Sequence, residues 1–189
     1  MSINALTIHK ETIVDTITSP VTVCKPNNLE NELATKAIWD TGATNSVITA
    51  SLAESLGLSP ITKTMVRGVH GLQEANVYFI HVTLNNRQIS LNLQVTECQE
   101  LSPDNTIGML IGMDVITQGD FCISNYGGKT TMTFRVPTLE KIDYVAEINE
   151  NNKMVWKHEV NISHHLPDKC PCGSGKMYKN CHGKSIYNQ

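Results

Sequence analysis

The stretch Ala37–Ile48, AIWDTGATNSVI, constrains this chain more than any other. Ala37, Ile38 and Trp39 read as the end of a buried strand, and that strand delivers Asp40-Thr41-Gly42-Ala43. A carboxylate at the tip of an apolar strand is costly unless it is hydrogen-bonded, protonated or paired. Gly42 lets another backbone come close, and the Thr41 hydroxyl can brace the turn from the side. An ordinary strand-to-turn corner, with Asp40 bonding its own backbone two residues on, accounts for the triplet equally well. The rest of the chain has to decide.

After the triplet, Thr44-Asn45-Ser46 reads as a turn and Val47-Ile48 as a brief strand. Ile48, Leu52 and Leu56 then recur every four residues and predict a short helix. Ser51 with Glu54 fits a capping box, and Gly57 and Pro60 supply the stop. Upstream, residues 1–19 alternate weakly and read as extended or poorly ordered. Val21–Cys24 is β-rich, and Lys25-Pro26-Asn27-Asn28 closes it with a loop. Downstream, Gly68-Val69-His70-Gly71 is a glycine-bracketed turn. Beyond it Tyr78, Ile80, Val82 and Leu84 alternate with their neighbours, Asn85-Asn86 turns the chain, and Ile89–Val95 alternates on the way back. His81, within that hairpin, reads as a satisfied or exposed strand residue. Ile107–Ile116, IGMLIGMDVI, is another apolar strand running into Gly112 and a short helical turn, with Asp114 placed as a capping acid. A last hairpin joins Phe121–Ile123 to Met132–Val136. Residues 138–166 are polar with scattered apolar positions, and periodicity does not decide between helix and strand.

Strand–DTGA–helix, a glycine turn, a long hairpin, then apolar–apolar–Gly and a helical turn: in this order the chain resembles the retroviral-type aspartic proteases, the retropepsins. Asp40-Thr41-Gly42-Ala43-Thr44, Gly68-Val69-His70-Gly71 and Leu110-Ile111-Gly112-Met113-Asp114 carry the resemblance. It implies a mainly β fold: a small closed, mostly antiparallel β-barrel with one or two short helices, which is one half of a two-lobed enzyme. The chemistry needs two carboxylates sharing a proton, because like charges that close cannot both ionise. The chain has one DTG triplet, so the resemblance implies a homodimer with Asp40 from each copy meeting on a two-fold axis. Asp40, Thr41 and Gly42 then form the catalytic loop. Ala43, Thr44 and the flap Gly68, Val69, His70 and Gly71 contact an extended peptide substrate. Viral members build their dimer sheet from the C-terminus, whereas this chain continues well past Pro137 to Gln189.

That continuation ends in Cys170-Pro171-Cys172 and Cys181-His182. Three thiolates and an imidazole make a soft tetrahedral donor set suited to zinc, and four protein ligands leave no open position, so the ion is structural. The stretch closely resembles the SEC-C motif. Cys24, Cys98 and Cys122 are scattered singly, as apolar-behaving free cysteines are, and clustering at one end favours metal over a disulfide framework. A net charge of −3 and few aromatics give no overall nucleic-acid footprint. No stretch approaches the roughly 20 apolar residues that span a bilayer, and the N-terminus lacks a signal-peptide pattern. A cytoplasmic location is expected.

The sequence therefore predicts an N-terminal extension (1–19), a retropepsin-like domain (20–137), a connector (138–166) and a zinc-binding module (167–184). The expected function is aspartic endopeptidase, with zinc in the tail and no cofactor for catalysis. The tail module would dock a substrate, a protein partner or the ribosome. The alternative is a non-catalytic peptide-binding adaptor on the same fold, with the zinc module as its main interaction element.

Overall fold

A computed structural model describes residues 2–68, 71–162, 169–170, 172 and 174–181. The chain divides into two units, 1–140 and 141–189.

The first unit is built from ten strands and two short helices. Asn4–His9 (β1), Thr18–Lys25 (β2), Asn28–Trp39 (β3) and Val47–Thr49 (β4) precede the helix Ala50–Ser55 (α1). Thr62–Gly68 (β5), Gly71–Leu84 (β6), Ser90–Cys98 (β7) and Ile107–Ile111 (β8) follow, then the helical turn Met113–Ile116 (α2). Asp120–Ser124 (β9) and Thr131–Val136 (β10) close the unit.

Seven strands form a sheet in the order β2-β3-β8-β4-β7-β6-β5, and β2 also pairs with β6, so the pairings return to their start. The expectation of a mostly antiparallel β fold holds, with two exceptions. β3 runs parallel to β8, and β4 parallel to β7. Parallel neighbours need a crossover connection, and here the crossovers carry the glycine hairpin and the Asp40 loop. The remaining strands, β1-β10-β9, make a separate three-stranded sheet. The extended reading of the N-terminus thus takes the form of β1, in register with β10 from Asn4↔Val136 to His9↔Thr131.

The alternation in β6 does what its pattern implies. Tyr78, Ile80, Val82 and Leu84 are buried in one core with Val23, Ala37, Ile48, Met109, Ile111, Met132 and Phe134. Trp39 stacks on Phe121 at 5.6 Å between ring centroids and tilts against Phe134 at 5.2 Å. Its indole N–H is satisfied by Ser19 Oγ at 2.9 Å, which lets a polar atom stay inside.

The α1 start differs from expectation. Thr49, not Ser51, is the N-cap and accepts from Leu52 N–H at 3.3 Å. Ile48 belongs to β4, so the helix begins later than the four-residue period alone implies. The C-terminus stops as expected: Gly57 sits at φ +60°, where Leu58 N–H reaches Ala53 O and Gly57 N–H reaches Glu54 O, a Schellman motif.

In the second unit, periodicity left 138–166 undecided; the structure has a helix there, Tyr144–Ile162 (α3). Tyr144, Val145 and Ile148 on it are exposed.

Candidate active site

Asp40 leaves β3 at its last buried residue, Trp39, and the strand end is tied on both sides. Trp39 N–H donates to Ile17 O at 3.0 Å and Asp40 N–H to Ile111 O at 2.9 Å. Asp40 as a whole is half-buried. Its Oδ1 accepts from Gly42 N–H at 2.8 Å, and Ala43 N–H reaches Asp40 O at 3.3 Å. Among the described residues the second carboxylate oxygen has no partner. Thr41 and Gly42 are exposed beside it. A side chain on Gly42 would place its Cβ 3.2 Å from Asp40 Oδ1, so the glycine keeps that approach open.

The loop is fastened from below by α2. Met113 N–H donates to Ala43 O at 2.8 Å, and Asp114 N–H to Thr44 O at 3.1 Å. Ser46, fully buried, donates its hydroxyl to Asp114 Oδ1 at 2.8 Å and its N–H to Oδ2 at 3.0 Å. Gly112 N–H donates to the same Ser46 hydroxyl at 3.1 Å. Asp114 also accepts from Val115 N–H at 3.0 Å; it lies in the first turn of α2, but the N-cap is Gly112 with no side-chain cap bond, and the acid braces the Asp40 loop as well. The sequence reading missed that second role, and it treated Ser46 as a mere turn residue. The available signal was an acid just after an apolar run, which needs a partner somewhere.

Gly68 and Gly71 face each other at the end of the β5–β6 hairpin, and Gly71 has φ +99°. Val69 and His70, expected at the flap tip, lie outside the described residues. Met65 and Leu72, each more than half exposed, stand near that end. At the other end of the hairpin the Tyr78 hydroxyl bonds Glu97 Oε2, which also accepts from Asn76 Nδ2 at 3.2 Å. Burial first, and then the bond to Glu97, pushes the Tyr78 phenol above its ordinary range. His81 is satisfied, its Nδ1 lying 2.7 Å from Asn92 Oδ1.

Residues 20–115, just over half of the 189-residue chain, match the aspartyl protease family. The chain belongs to that family. In this aspartyl protease family member, residues 167–184 also match the SEC-C motif. Solved structures similar to it include a retropepsin-like aspartic protease from Rickettsia conorii: 17% identity, TM-score 0.45, covering 72% of this chain and 97% of that one. The retroviral protease-like domain of Ddi1 from Leishmania major is 24% identical with a TM-score of 0.43, covering 69% and 99%. A stretch of 43 residues, 23% of the chain, is 44% identical to the protein translocase subunit SecA of Ehrlichia ruminantium (strain Welgevonden). The chain spans about 5% of that relative's length.

The ligand atoms of Cys170, Cys172 and Cys181 all lie within 4.8 Å of one another, and Cys172 Sγ is 3.7 Å from Cys181 Sγ. A tetrahedral site with metal–sulfur bonds of about 2.3 Å places its sulfurs about 3.8 Å apart. The three thiols thus fit a soft metal ion. Cys170 N–H donates to Lys176 O at 2.8 Å and Cys181 N–H to Tyr178 O at 3.0 Å, which folds the two ends of the motif together. The Ser174 hydroxyl and main-chain group beside Cys172 hold that thiol below its ordinary range, and a thiolate is the ligand form. His182, the expected fourth ligand, lies outside the described residues.

Proposed function

We propose that this protein is an aspartic endopeptidase whose catalytic pair is Asp40 of one copy and Asp40 of a second. One observation carries the reading. A single strand-tip carboxylate has one oxygen held by the Gly42 N–H and the other open, beside an exposed Thr41 whose hydroxyl has no bond among the described residues. That is half of a site.

Completed by its twin, the pair shares one proton, because two carboxylates in hydrogen-bond contact cannot both ionise. The ionised member takes a proton from the attacking water while the protonated member polarises the scissile carbonyl. The shared titration belongs to the pair. Thr41 braces its counterpart across the axis, and Gly42, Ala43 and Thr44 meet the substrate backbone. The flap Gly68–Gly71 closes over an extended peptide and excludes water.

Residues 20–137 are the catalytic portion, with 1–19 as an extension and 138–166 as a connector. The 167–184 module takes one structural zinc on Cys170, Cys172, Cys181 and His182, and catalysis needs no further cofactor. The partial likeness to a translocase subunit supports docking of a protein partner through this module. Cysteines gathered as a metal-binding set, not spread as a disulfide framework, support a cytoplasmic location. No described helix is long and apolar enough to cross a membrane.

The test is cleavage of a peptide library by the purified chain, with and without pepstatin, beside Asp40→Asn. Pepstatin-sensitive cleavage lost in the variant, with its mass in solution unchanged, is the expected result. Undiminished cleavage by Asp40→Asn ends the assignment. Peptide binding without turnover in the wild type makes the chain an adaptor.

A further inference from the structure

The hairpin β5–β6 leaves the main sheet at one residue. Val77 pairs with Thr96 of β7 on one side and with Thr62 of β5 on the other. From there toward Gly71, β6 pairs with β5 alone, and among the described residues β5 pairs with no other strand. Residues 62–66 and 71–74 of this ribbon are exposed. Its ion pair, Lys63 Nζ to Glu74 Oε2 at 2.7 Å, joins two side chains that are each more than half exposed. Such a surface pair adds little, and a two-stranded ribbon without a buried face is marginal by itself. Its direction has to be set where it starts.

At that start three side chains meet. Asn76 and Tyr78, two residues apart on β6, lie on one face, and both reach Glu97 of β7. The Tyr78 hydroxyl donates to Glu97 Oε2. Asn76 Nδ2 donates to Oε1 at 3.3 Å and to Oε2 at 3.2 Å, and lies 3.4 Å from the Tyr78 hydroxyl. The backbone ladder between β6 and β7 stops at Val77 and Thr96, so these bonds take over where it ends. Tyr78 is 5% exposed and belongs to the core. A buried ring with a bonded hydroxyl has little freedom left.

The other edge of the same stretch of β7 faces the Asp40 loop. Thr96 N–H donates to Ser46 O at 3.2 Å, and Glu97 lies opposite Ile48 in the parallel pair β4–β7. Ser46 is the residue that, with Asp114, fastens the Asp40 loop. Two consecutive residues of β7 thus hold the end of that loop on one side and the root of the hairpin on the other.

We propose that Glu97, Tyr78 and Asn76 form a clamp that sets the direction of the hairpin relative to Asp40 and so governs how readily a peptide is captured. The inference rests on the flap reading of Gly68–Gly71 and adds what positions the flap. None of the three touches the reacting atoms; they are positioning residues. A ribbon held at its root loses less freedom when it closes on a substrate. The clamp therefore acts on capture of the peptide and leaves the proton transfers at Asp40 alone.

Hydrogen exchange and peptide kinetics of the full chain test this with Tyr78→Phe, which keeps the buried ring, and Glu97→Gln, which keeps an acceptor. The control is His81→Ala, which removes an exposed link between the same two strands, His81 Nδ1 to Asn92 Oδ1 at 2.7 Å. In Tyr78→Phe the amides of 62–68 and 71–76 should exchange roughly three- to tenfold faster, as the loss of one hydrogen bond implies. Those of 78–83 should keep their rate. KM should rise by a similar factor with kcat within about twofold of wild type, the mark of an interaction that serves binding. Glu97→Gln should fall between Tyr78→Phe and wild type, and His81→Ala should match wild type in both measurements.

Wild-type exchange of the hairpin in Tyr78→Phe, equal acceleration by His81→Ala, or a kcat that falls while KM stays overturns the clamp. Faster exchange confined to the hairpin, in a chain that cleaves no peptide, supports the clamp and removes the protease reading. Cleavage by a chain whose hairpin and KM ignore Tyr78→Phe does the reverse.

Discussion

Ser46 and Asp114, 68 residues apart in sequence, are joined by two hydrogen bonds, the serine giving both its hydroxyl and its N–H to the one carboxylate. Since Gly112 N–H donates to the same hydroxyl, this pair locks the Asp40 loop onto the end of β8. Ser46→Ala removes the hydroxyl that links Asp114 Oδ1 to Gly112 N–H and leaves that buried N–H without its partner. It should cost about 1–3 kcal/mol of stability and lower the rate of peptide cleavage through misalignment of Asp40. Asp114→Asn, which keeps the shape and one acceptor, should cost less. Urea denaturation of both variants checks the order, and equal stability of Ser46→Ala and wild type removes the lock.

The two loops contain glycines that should respond in opposite ways. A Cβ on Gly112 falls 2.7 Å from Asn45 C, 2.8 Å from Asn45 O and 2.9 Å from Ala43 O, all backbone that cannot step aside. Gly112→Ala should therefore destabilise by about 3 kcal/mol or more. At Gly42 the only near atom among the described residues is Asp40 Oδ1 at 3.2 Å. Gly42→Ala should melt close to wild type and lose most of its cleavage. Melting temperature and peptide turnover measured on both variants separate the two glycines, and a stable Gly112→Ala contradicts the packing argument.

Acid should weaken the first unit at Asp120. Its Oδ2 accepts from Leu139 N–H and Arg135 Nε, each at 3.0 Å, and these bonds hold the carboxyl below its ordinary range. A carboxyl depressed by folding stabilises fully above its unfolded value of about 3.9 and loses that contribution as pH falls through the folded value. The gap in melting temperature between wild type and Asp120→Asn should be widest near neutrality and shrink below about pH 4. A gap independent of pH shows that the charge is not what matters.

Metal should be confined to the tail. The full chain is expected to bind about one zinc ion per copy and to lose it with Cys172→Ser. Chelation should speed tryptic cleavage after Lys176 while the melting of residues 2–140 stays put. Zinc retained by Cys172→Ser, or a first unit that melts earlier after chelation, contradicts this arrangement.

Features with a local cause were legible in the sequence. The Asp40 turn announced itself because a carboxylate, a hydroxyl and a glycine interrupt an apolar run, and the β6–β7 hairpin because its alternation is strict. Asp114 was legible as an acid in the first turn of α2, since that position depends on its neighbours; its bond to Ser46 depends on the whole fold bringing two distant loops together. The same limit hid β1, whose weak alternation gains meaning only beside β10. Thr49 displaced Ser51 as N-cap because β4 holds Ile48 in the sheet, a tertiary constraint that overrides the helical period. For α3 the obstacle was composition: Val145 and Ile148, two of its apolar residues, are exposed and so do not belong to a buried stripe.

The pairing of β1 with β10 sets a schedule for synthesis. Asn4 leaves the ribosome long before its strand partner Val136. Closing so long a loop costs entropy before any contact rewards it. The N-terminal strand must wait, unpaired, while β2 through β8 assemble. A nascent chain consequently holds the Asp40 loop before the three-stranded sheet exists, and that sheet cannot close until translation has passed residue 136.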